Sequence, residues 1–522
     1  MNTRRLTATR LAALGALWLA GCPQASEPAD DDDDATDDVF TPRWVRTPLD
    51  EAAVFTIVGT EEAPVAWETL SFETSADDGV LHLASTGARG VSQIPMGAVE
   101  AAAADGATEA PLESLASSGI ATGQVQSIWM GAPRDVDGDG IAEVLTEHES
   151  EKGILILDVW FPIDTRLVLH RGARLSEDGF VGEGDAWIVI DIGDEAVGTT
   201  YDARLVPDVT GDGGAELALA FRDPPGDKML GVFTSEQLRP LPSGSLLTWE
   251  DAEFLIVNEV DHPIFGATTT TPTSPAAVPD LNGDGDAELM VVFDRVPDSG
   301  LSPRVVFLDD DALAGCGRPC VLPPDPTGPV VADIVNNVLE GGIDQFGMAR
   351  ALVGADADGG ALLAFEGRVR GPEETDNRET VSLFRSSQIT PGARLTRADG
   401  FAVYEFLDTV DPTAGEQLQW QPVTFVSLDG DGADELVVRG WEHRDEGLPL
   451  GVLGVIDVDA VPVDGDLEPH FLASFVAPDE EHLDPRLGTA VGYVSSSLGR
   501  GLAIPIDAGG DWQGAVWLVP AP

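Results

Sequence analysis

The chain is 522 residues long and carries 91 Asp and Glu against 29 Lys and Arg, a formal net charge of −62 at pH 7. A surface this acidic repels phosphate backbones and anionic headgroups, which argues against nucleic acid and anionic lipid as partners and draws cations instead. Hydrophobic residues make up 43% of the chain, enough for a sizeable core, while 58 Gly and 37 Pro favour many turns over long helices. Self-repulsion among the carboxylates has to be relieved, either by bound divalent metal or by a high-salt habitat. The scarcity of lysine, present only at Lys152 and Lys228, is compatible with the second.

At the N-terminus, Arg4, Arg5 and Arg10 flank the start of an apolar stretch over residues 11–20 that is too short to span a bilayer. It ends in Leu19-Ala20-Gly21-Cys22, which resembles the lipobox of bacterial lipoproteins, where cleavage before the cysteine frees a thiol that carries diacylglycerol. The resemblance implies a signal peptide over 1–21, lipidation of Cys22 and a membrane attachment through lipid alone. Pro23 stands where an acidic residue often signals inner-membrane retention, so an exported protein at the outer membrane or cell surface is expected. Residues 22–48 are the lipidated cysteine and an acidic tether. Residues 30–34 are all Asp, with Asp37 and Asp38 behind them, a run that stays extended and cannot bury a core. Residues 49–522 are the folded part. Within it, Cys316 and Cys320 stand in Ala-Gly-Cys-Gly-Arg-Pro-Cys, a short loop that suits a disulfide in an oxidising compartment.

One pattern recurs. It reads Asp135-Val-Asp137-Gly-Asp139-Gly-Ile-Ala-Glu143, then Asp208-Val-Thr210-Gly-Asp212-Gly-Gly-Ala-Glu216, then Asp280-Leu-Asn282-Gly-Asp284-Gly-Asp-Ala-Glu288. A fourth copy opens on serine, Ser427-Leu-Asp429-Gly-Asp431-Gly-Ala-Asp-Glu435, and a decayed copy, Asp356-Ala-Asp358-Gly-Gly, precedes it. Taken in chain order, the first positions lie 73, 72, 76 and 71 residues apart, the mark of a repeat fold. Strand-like runs precede the loops at 187–191, 254–257 and 401–404, and second hairpin arms follow at 153–157, 304–308 and 451–455. Two further units lack the acidic loop, one marked by 54–58 and 80–83, the other by 501–506 and 515–519. That makes seven units of about four strands. The runs after the loops are apolar throughout and do not alternate, as strands buried on both faces require. Sheets stacked side by side around an axis meet that demand, so an all-β, seven-bladed β-propeller of four-stranded blades is predicted.

The loop-and-strand unit resembles the FG-GAP (VCBS-like) repeat of integrin alpha-subunit propellers and of many bacterial surface proteins. Phe265-Gly266 and Phe346-Gly347 stand upstream of two loops, where that family has its Phe-Gly; Gly131-Ala132-Pro133 precedes a loop, whereas the family's Gly-Ala-Pro follows it. The family prefers Asp at the ninth loop position, and this chain has Glu there in every intact copy.

Calcium takes six to eight oxygens in flexible geometry, and acids at alternate positions of a tight turn supply them. In the first loop the expected donors are Asp135, Asp137, Asp139, the Ile141 carbonyl and Glu143. In the second they are Asp208, Thr210, Asp212, the Gly214 carbonyl and Glu216. In the third they are Asp280, Asn282, Asp284, the Asp286 carbonyl and Glu288. The fourth has Ser427, Asp429, Asp431, the Ala433 carbonyl and Glu435, and should be weaker for want of an acid at its first position. An EF-hand would place an acid at position twelve and a helix behind it; Thr146, Leu219, Val291 and Val438 stand there. The bland alternative is that Asp, Asn and Gly only make good hairpin turns.

No Gly-x-Ser-x-Gly elbow, His-Glu-x-x-His, P-loop or dinucleotide fingerprint occurs, and the seven His lack ligand spacing. The polar stretch 268–273 reads as an exposed loop, and Trp420 and Trp441 as aromatics flanking the fourth loop. The expected function is a surface- or envelope-anchored, calcium-binding, non-catalytic binding or adhesion module for protein or polysaccharide. The alternatives are a polysaccharide-active lyase or hydrolase of propeller fold and a purely structural envelope lipoprotein.

Overall fold

The computed structural model describes residues 47–60, 65–74, 79–85, 90–121, 132–149, 153–156, 159–162, 165–173, 175, 180–192, 200–222, 228–262, 266–293, 304–335, 343–370, 377–406, 419–428, 430–442, 450–458, 471–476, 490–506 and 514–521. Cys22, Asp429, Phe265, Gly131 and His443 lie outside them. Among the described residues no helix is long and apolar enough to cross a membrane.

Among the described residues, seven sheets of four or five strands account for almost all of the β-structure, with two isolated two-stranded hairpins besides. Blade 3 shows the plan: Thr200–Val206, Glu216–Arg222, Lys228–Phe233 and Phe254–Val257 pair antiparallel in that order from the innermost strand outward. Blade 4 repeats it with Pro272–Val278, Glu288–Phe293, Arg304–Leu308 and Val330–Val335. Blade 5 does so with Ile343–Ala355, Ala361–Arg370, Asn377–Arg385 and Ala402–Phe406. Blade 6 follows with Gln419–Val426, Glu435–Glu442, Leu450–Ile456 and Phe471–Val476. Blade 1 is Val65–Thr74, Gly79–Ser85, Val91–Pro95 and Ser118–Ala121, and blade 2 is built on Val144–Glu149, Thr165–His170 and Ile188–Asp191.

The apolar runs follow from strands that serve two seams at once. Along the second strand of blade 3, Leu217, Leu219 and Phe221 join the core shared with blade 2, while Ala218 and Ala220 join the core shared with blade 4. Successive side chains point to opposite faces of a strand, so a sheet packed on both sides must be apolar at every position. Seven such cores exist, one per seam: blades 2–3, 3–4, 4–5, 5–6, 6–7, 7–1 and 1–2. The last of these closes the ring.

Closure is offset by one strand from the sequence repeat. Residues 54–58 do not open a first blade with 80–83, as their order suggested. Phe55–Val58 instead forms the outer antiparallel strand of blade 7, against Ala515–Pro520, behind Val491–Ser495 and Gly499–Ile506. Among the described residues, each blade but the fifth also gains a short parallel edge strand from a neighbour. Phe180–Gly182 lies on blade 1, Ser245–Thr248 on blade 2, Cys320–Val321 on blade 3, Arg394–Thr396 on blade 4, Thr47–Pro48 on blade 6 and Glu109–Pro111 on blade 7. Every one of these straps belongs to the chain segment that leads into the outer strand of the next blade. Cys316 and Cys320 are bridged, with Cα atoms 5.3 Å apart, at the base of the blade 3 strap.

Three local expectations are corrected. Gly153–Ile156 pairs with Val159–Pro162 in a separate hairpin, and the second arm of blade 2 is Thr165–His170. Residues 268–273 are mostly strand, in Gly266–Thr269 and Pro272–Val278, with Thr270 and Ser274 buried. A bulge between Thr273 and Ala276 absorbs the polar residues, and Ser274 takes a φ of 50°. Trp420 and Trp441 sit on paired strands at the end of blade 6 away from its acidic loop, so they do not flank it.

Candidate metal centre

The acidic loops are equivalent in the fold. In blades 3, 4 and 6 each joins the innermost strand to the second, and the blade 2 loop leads into Val144–Glu149 with Arg134 and Glu143 bridged across its base. They therefore open at the same end of the molecule, and those of blades 2, 3 and 4 touch their neighbours. The Ala215 amide of the blade 3 loop donates to the Asp135 carbonyl of the blade 2 loop at 2.9 Å. Gly211, at φ +68°, lies so close to the blade 4 loop that a β-carbon would stand 2.5 Å from Asp286 Oδ1.

In the loops of blades 2, 3 and 4 the first acid folds the turn over itself. Asp135 accepts from the Gly138 and Gly140 amides at 2.7 and 2.9 Å, and Asp280 accepts from Gly283 and Gly285 at 2.5 and 3.0 Å. Asp208 accepts from Gly213 at 2.8 Å. The glycines carry φ between +68° and +111° in these three loops, which an L side chain resists.

The ninth-position Glu explains its own departure from Asp. In all four loops it is buried, and its Oε2 accepts the amide of the second loop residue: Val136 at 2.7 Å, Val209 at 2.9 Å, Leu281 at 2.7 Å and Leu428 at 2.8 Å. The longer side chain thus reaches back beneath the loop and clamps its start. Burial pushes the Glu143 carboxyl up to about 7, with the Asp137 charge adding to it, against the Val136, Asp137 and Gly172 amides that favour the anion. Glu216 is pushed up to about 8 by burial and then by Asp208 and Asp212. Glu288 is pushed up to about 7 by burial and then by Asp280 and Asp284. These carboxyls are crowded by negative charge in a dry place, a condition that a cation would relieve.

Two loops bring three carboxylates together. Oxygen atoms of Asp135, Asp137 and Glu143 lie within 4.8 Å of one another, as do those of Asp208, Asp212 and Glu216. Either set could coordinate a hard divalent ion through oxygen. Asp139 is exposed and accepts from the Ile141 amide at 2.8 Å, outside that cluster. Thr210 donates its hydroxyl to Glu216 at 2.8 Å, and the Gly214 amide donates to Asp212 at 3.0 Å. The blade 4 loop does not gather its acids: Asn282 turns its amide to Asp284 at 2.7 Å and to Asp309 at 2.6 Å, and Asp284 accepts from the Asp286 amide. In the blade 6 loop Ser427 accepts from Arg500 Nη1 at 3.1 Å, Asp431 accepts from the buried Ala433, and Glu435 clamps Leu428.

A second tier of residues comes from the segment after the third strand. Arg171 lies over the Trp187 ring, 4.4 Å from its centroid, and reaches Asp137 at 3.6 Å. The Gly172 amide meets Glu143 at 3.4 Å. Ser235 donates its hydroxyl to Asp212, and the Glu236 amide does so at 2.7 Å. The repeat pattern of the loops does not reach these residues. A signal existed in Thr234-Ser-Glu-Gln, a helix-start pattern directly after an apolar run.

The molecule is thus a seven-bladed β-propeller with acidic loops in adjoining blades. The chain matches no family model and no curated protein. Among solved structures it is similar to Drosophila Semaphorin 1b, extracellular domains 1-2, at 10% identity and a TM-score of 0.38, over 90% of this chain and 86% of that one. It is similar to the GH43 BlXynB protein of Bacillus licheniformis at 10% identity and 0.28, over 89% and 98%. It is also similar to the V. cholerae biofilm matrix protein Bap1 at 11% and 0.23, over 94% and 66%. Similarity at this level carries no chemistry from them to this chain.

Proposed function

We propose that the chain is a lipid-anchored, calcium-held propeller of the FG-GAP kind that acts as a non-catalytic binding module at the outer membrane or cell surface, with a protein or polysaccharide as partner. The carrying observation is the convergence of Asp135, Asp137 and Glu143, and of Asp208, Asp212 and Glu216, in loops that touch. Calcium would be structural, offsetting charge and pinning each innermost hairpin. Extracellular modules hold it with Kd on the order of 10⁻⁴–10⁻³ M, which suits an exported protein. The lipobox-like Leu19-Ala20-Gly21-Cys22 and the acidic run behind it support an anchor and spacer.

The test begins with the melting temperature of a soluble form starting after Cys22, in calcium, in chelator and in matched sodium chloride. A calcium-specific rise that Asp137→Ala and Asp212→Ala remove is expected. A rise matched by sodium chloride would refute the metal reading. A screen of glycans and envelope proteins should then give saturable binding without product; turnover would refute the non-catalytic reading. Labelled palmitate should enter the full chain and not Cys22→Ala.

A further inference from the structure

We propose that Arg385 is a built-in cation that replaces the metal in the blade 5 loop, so that this loop takes no calcium and the metal-dependent sites are confined to other blades. The inference deepens the calcium reading of those other loops and rests on it.

The loop runs from Asp356 to Ala361 and is three residues shorter than the loop from Asp208 to Glu216. Ala361 stands where the others have the buried Glu, and its amide is taken by Ser386 Oγ at 2.9 Å. Asp358 is exposed, which leaves Asp356, 5% exposed, as the one carboxylate turned inward. Its charge is met from within the chain, because Arg385 Nη1 donates to Asp356 Oδ1. Arg385 is the last residue of the third strand, opposite Leu362, and its guanidinium lies over the Phe401 ring, 4.9 Å from the centroid. The strand end and the ring hold the cation in place without help from solvent.

Charge balance separates the two kinds of loop. Three converging carboxylates, as at Asp208, Asp212 and Glu216, call for a divalent ion. One carboxylate facing one guanidinium is already neutral, and calcium would have to displace the arginine to gain a single acid. The blade 5 loop still has to be rigid, since the next loop leans on it: Ala355 donates to Asp434 Oδ2 at 2.7 Å, and the Asp434 amide returns to the Ala355 carbonyl at 3.0 Å. The equivalent bond from Ala215 to Asp135 joins two loops of the other kind. The seam between blades 5 and 6 is therefore locked by an arginine while the seam between blades 2 and 3 is locked by metal.

The experiment uses the chain from residue 23 onward and compares Arg385→Gln and Asp356→Asn with the wild type in calcium and in chelator, by melting temperature and by calcium bound per chain. Each variant is expected to melt lower by on the order of a few degrees, by the same amount in both buffers, with calcium stoichiometry unchanged. The double variant should cost no more than the larger single one. Amide exchange adds a local readout that survives if Arg385→Gln fails to fold: in the wild type, chelator should speed exchange at Gly213 and leave Gly359 unchanged. If calcium restores Arg385→Gln, or the variant binds an extra ion, or neither variant lowers the melting temperature, the proposal falls. A wild type that ignores calcium altogether sinks the calcium reading instead, and an equal loss in both buffers would still leave the Arg385–Asp356 lock in place.

Discussion

Changing Glu216 to Gln separates the two roles its carboxylate plays. In the metal-free fold its carboxyl is pushed from 4.5 up to about 8, chiefly by burial. The folded chain then holds a proton that the unfolded chain has released, so metal-free stability falls as pH rises through that window. At pH 8 the penalty is on the order of 4 kcal/mol, and near pH 5 it shrinks to about 1 kcal/mol. Glutamine carries no such penalty. It does lose one of two acceptor oxygens, which Val209 and Thr210 now use, at about 1–3 kcal/mol. In chelator, Glu216→Gln should therefore be more stable than the wild type by about 1–3 kcal/mol at pH 8 and less stable at pH 5. Calcium at ten to a hundred times Kd should add roughly 1.4–2.7 kcal/mol to the wild type at this site and little to the variant. Urea unfolding at the two pH values, with and without calcium, reads all four quantities. Equal destabilisation at both pH values would show that the carboxylate is a hydrogen-bond clamp and nothing more. An undiminished calcium increment would remove Glu216 from the ligand set.

Calcium binding should weaken as pH falls from 8 to 6 and release protons as it occurs, because Glu143 and Glu216 must ionise; titration in two buffers of different ionisation enthalpy measures this. Tyr493→Phe should leave stability unchanged or raise it by about 1 kcal/mol, since its buried hydroxyl finds no partner among the described residues and its ionisation is pushed up to about 12 by burial; a loss of several kcal/mol by thermal melting would contradict this. Asp333→Ala should cost about 3–5 kcal/mol in urea unfolding, since it strands Arg304 and Arg394, which both bond its fully buried carboxylate. Glu100→Ala should lower the melting temperature more at neutral pH than in acid. Ser495 and Ser496 and the Ser497 amide hold that carboxyl below its ordinary value, so its contribution exists above about 4.5 and is lost as pH falls through the lowered value.

What could be read in the residues was what repeats. Spacings of 71 to 76 between Asp-rich loops mark the blades, and unbroken apolar runs such as Leu289 to Phe293 mark sheets covered on both faces. The ring closure was hidden because Phe55–Val58 has the same apolar character whether it starts one sheet or finishes another; only its pairing with Ala515–Pro520 distinguishes them. The straps were hidden for another reason. Cys320–Val321 makes two ladder pairs and Arg394–Thr396 three, too few for any periodic pattern. In the loops, residue types located the candidate ligands, but how far acids converge depends on neighbours. Asp309, distant in sequence, draws Asn282 aside in blade 4, whereas Ser235 and the Glu236 amide hold Asp212 in blade 3.

The straps also bear on how such a ring could change size. A strap sits on one blade but travels in the sequence with the next, so a duplicated unit brings the strap for its predecessor and receives its own from its successor. Copying in frame a unit that carries a strap would leave the edges it meets covered and ask only for a wider angle between blades. Trimming the N-terminal end does the opposite: losing residues 47–58 takes the strap of blade 6 and the outer strand of blade 7 together, so a cut of a dozen residues injures two blades at once.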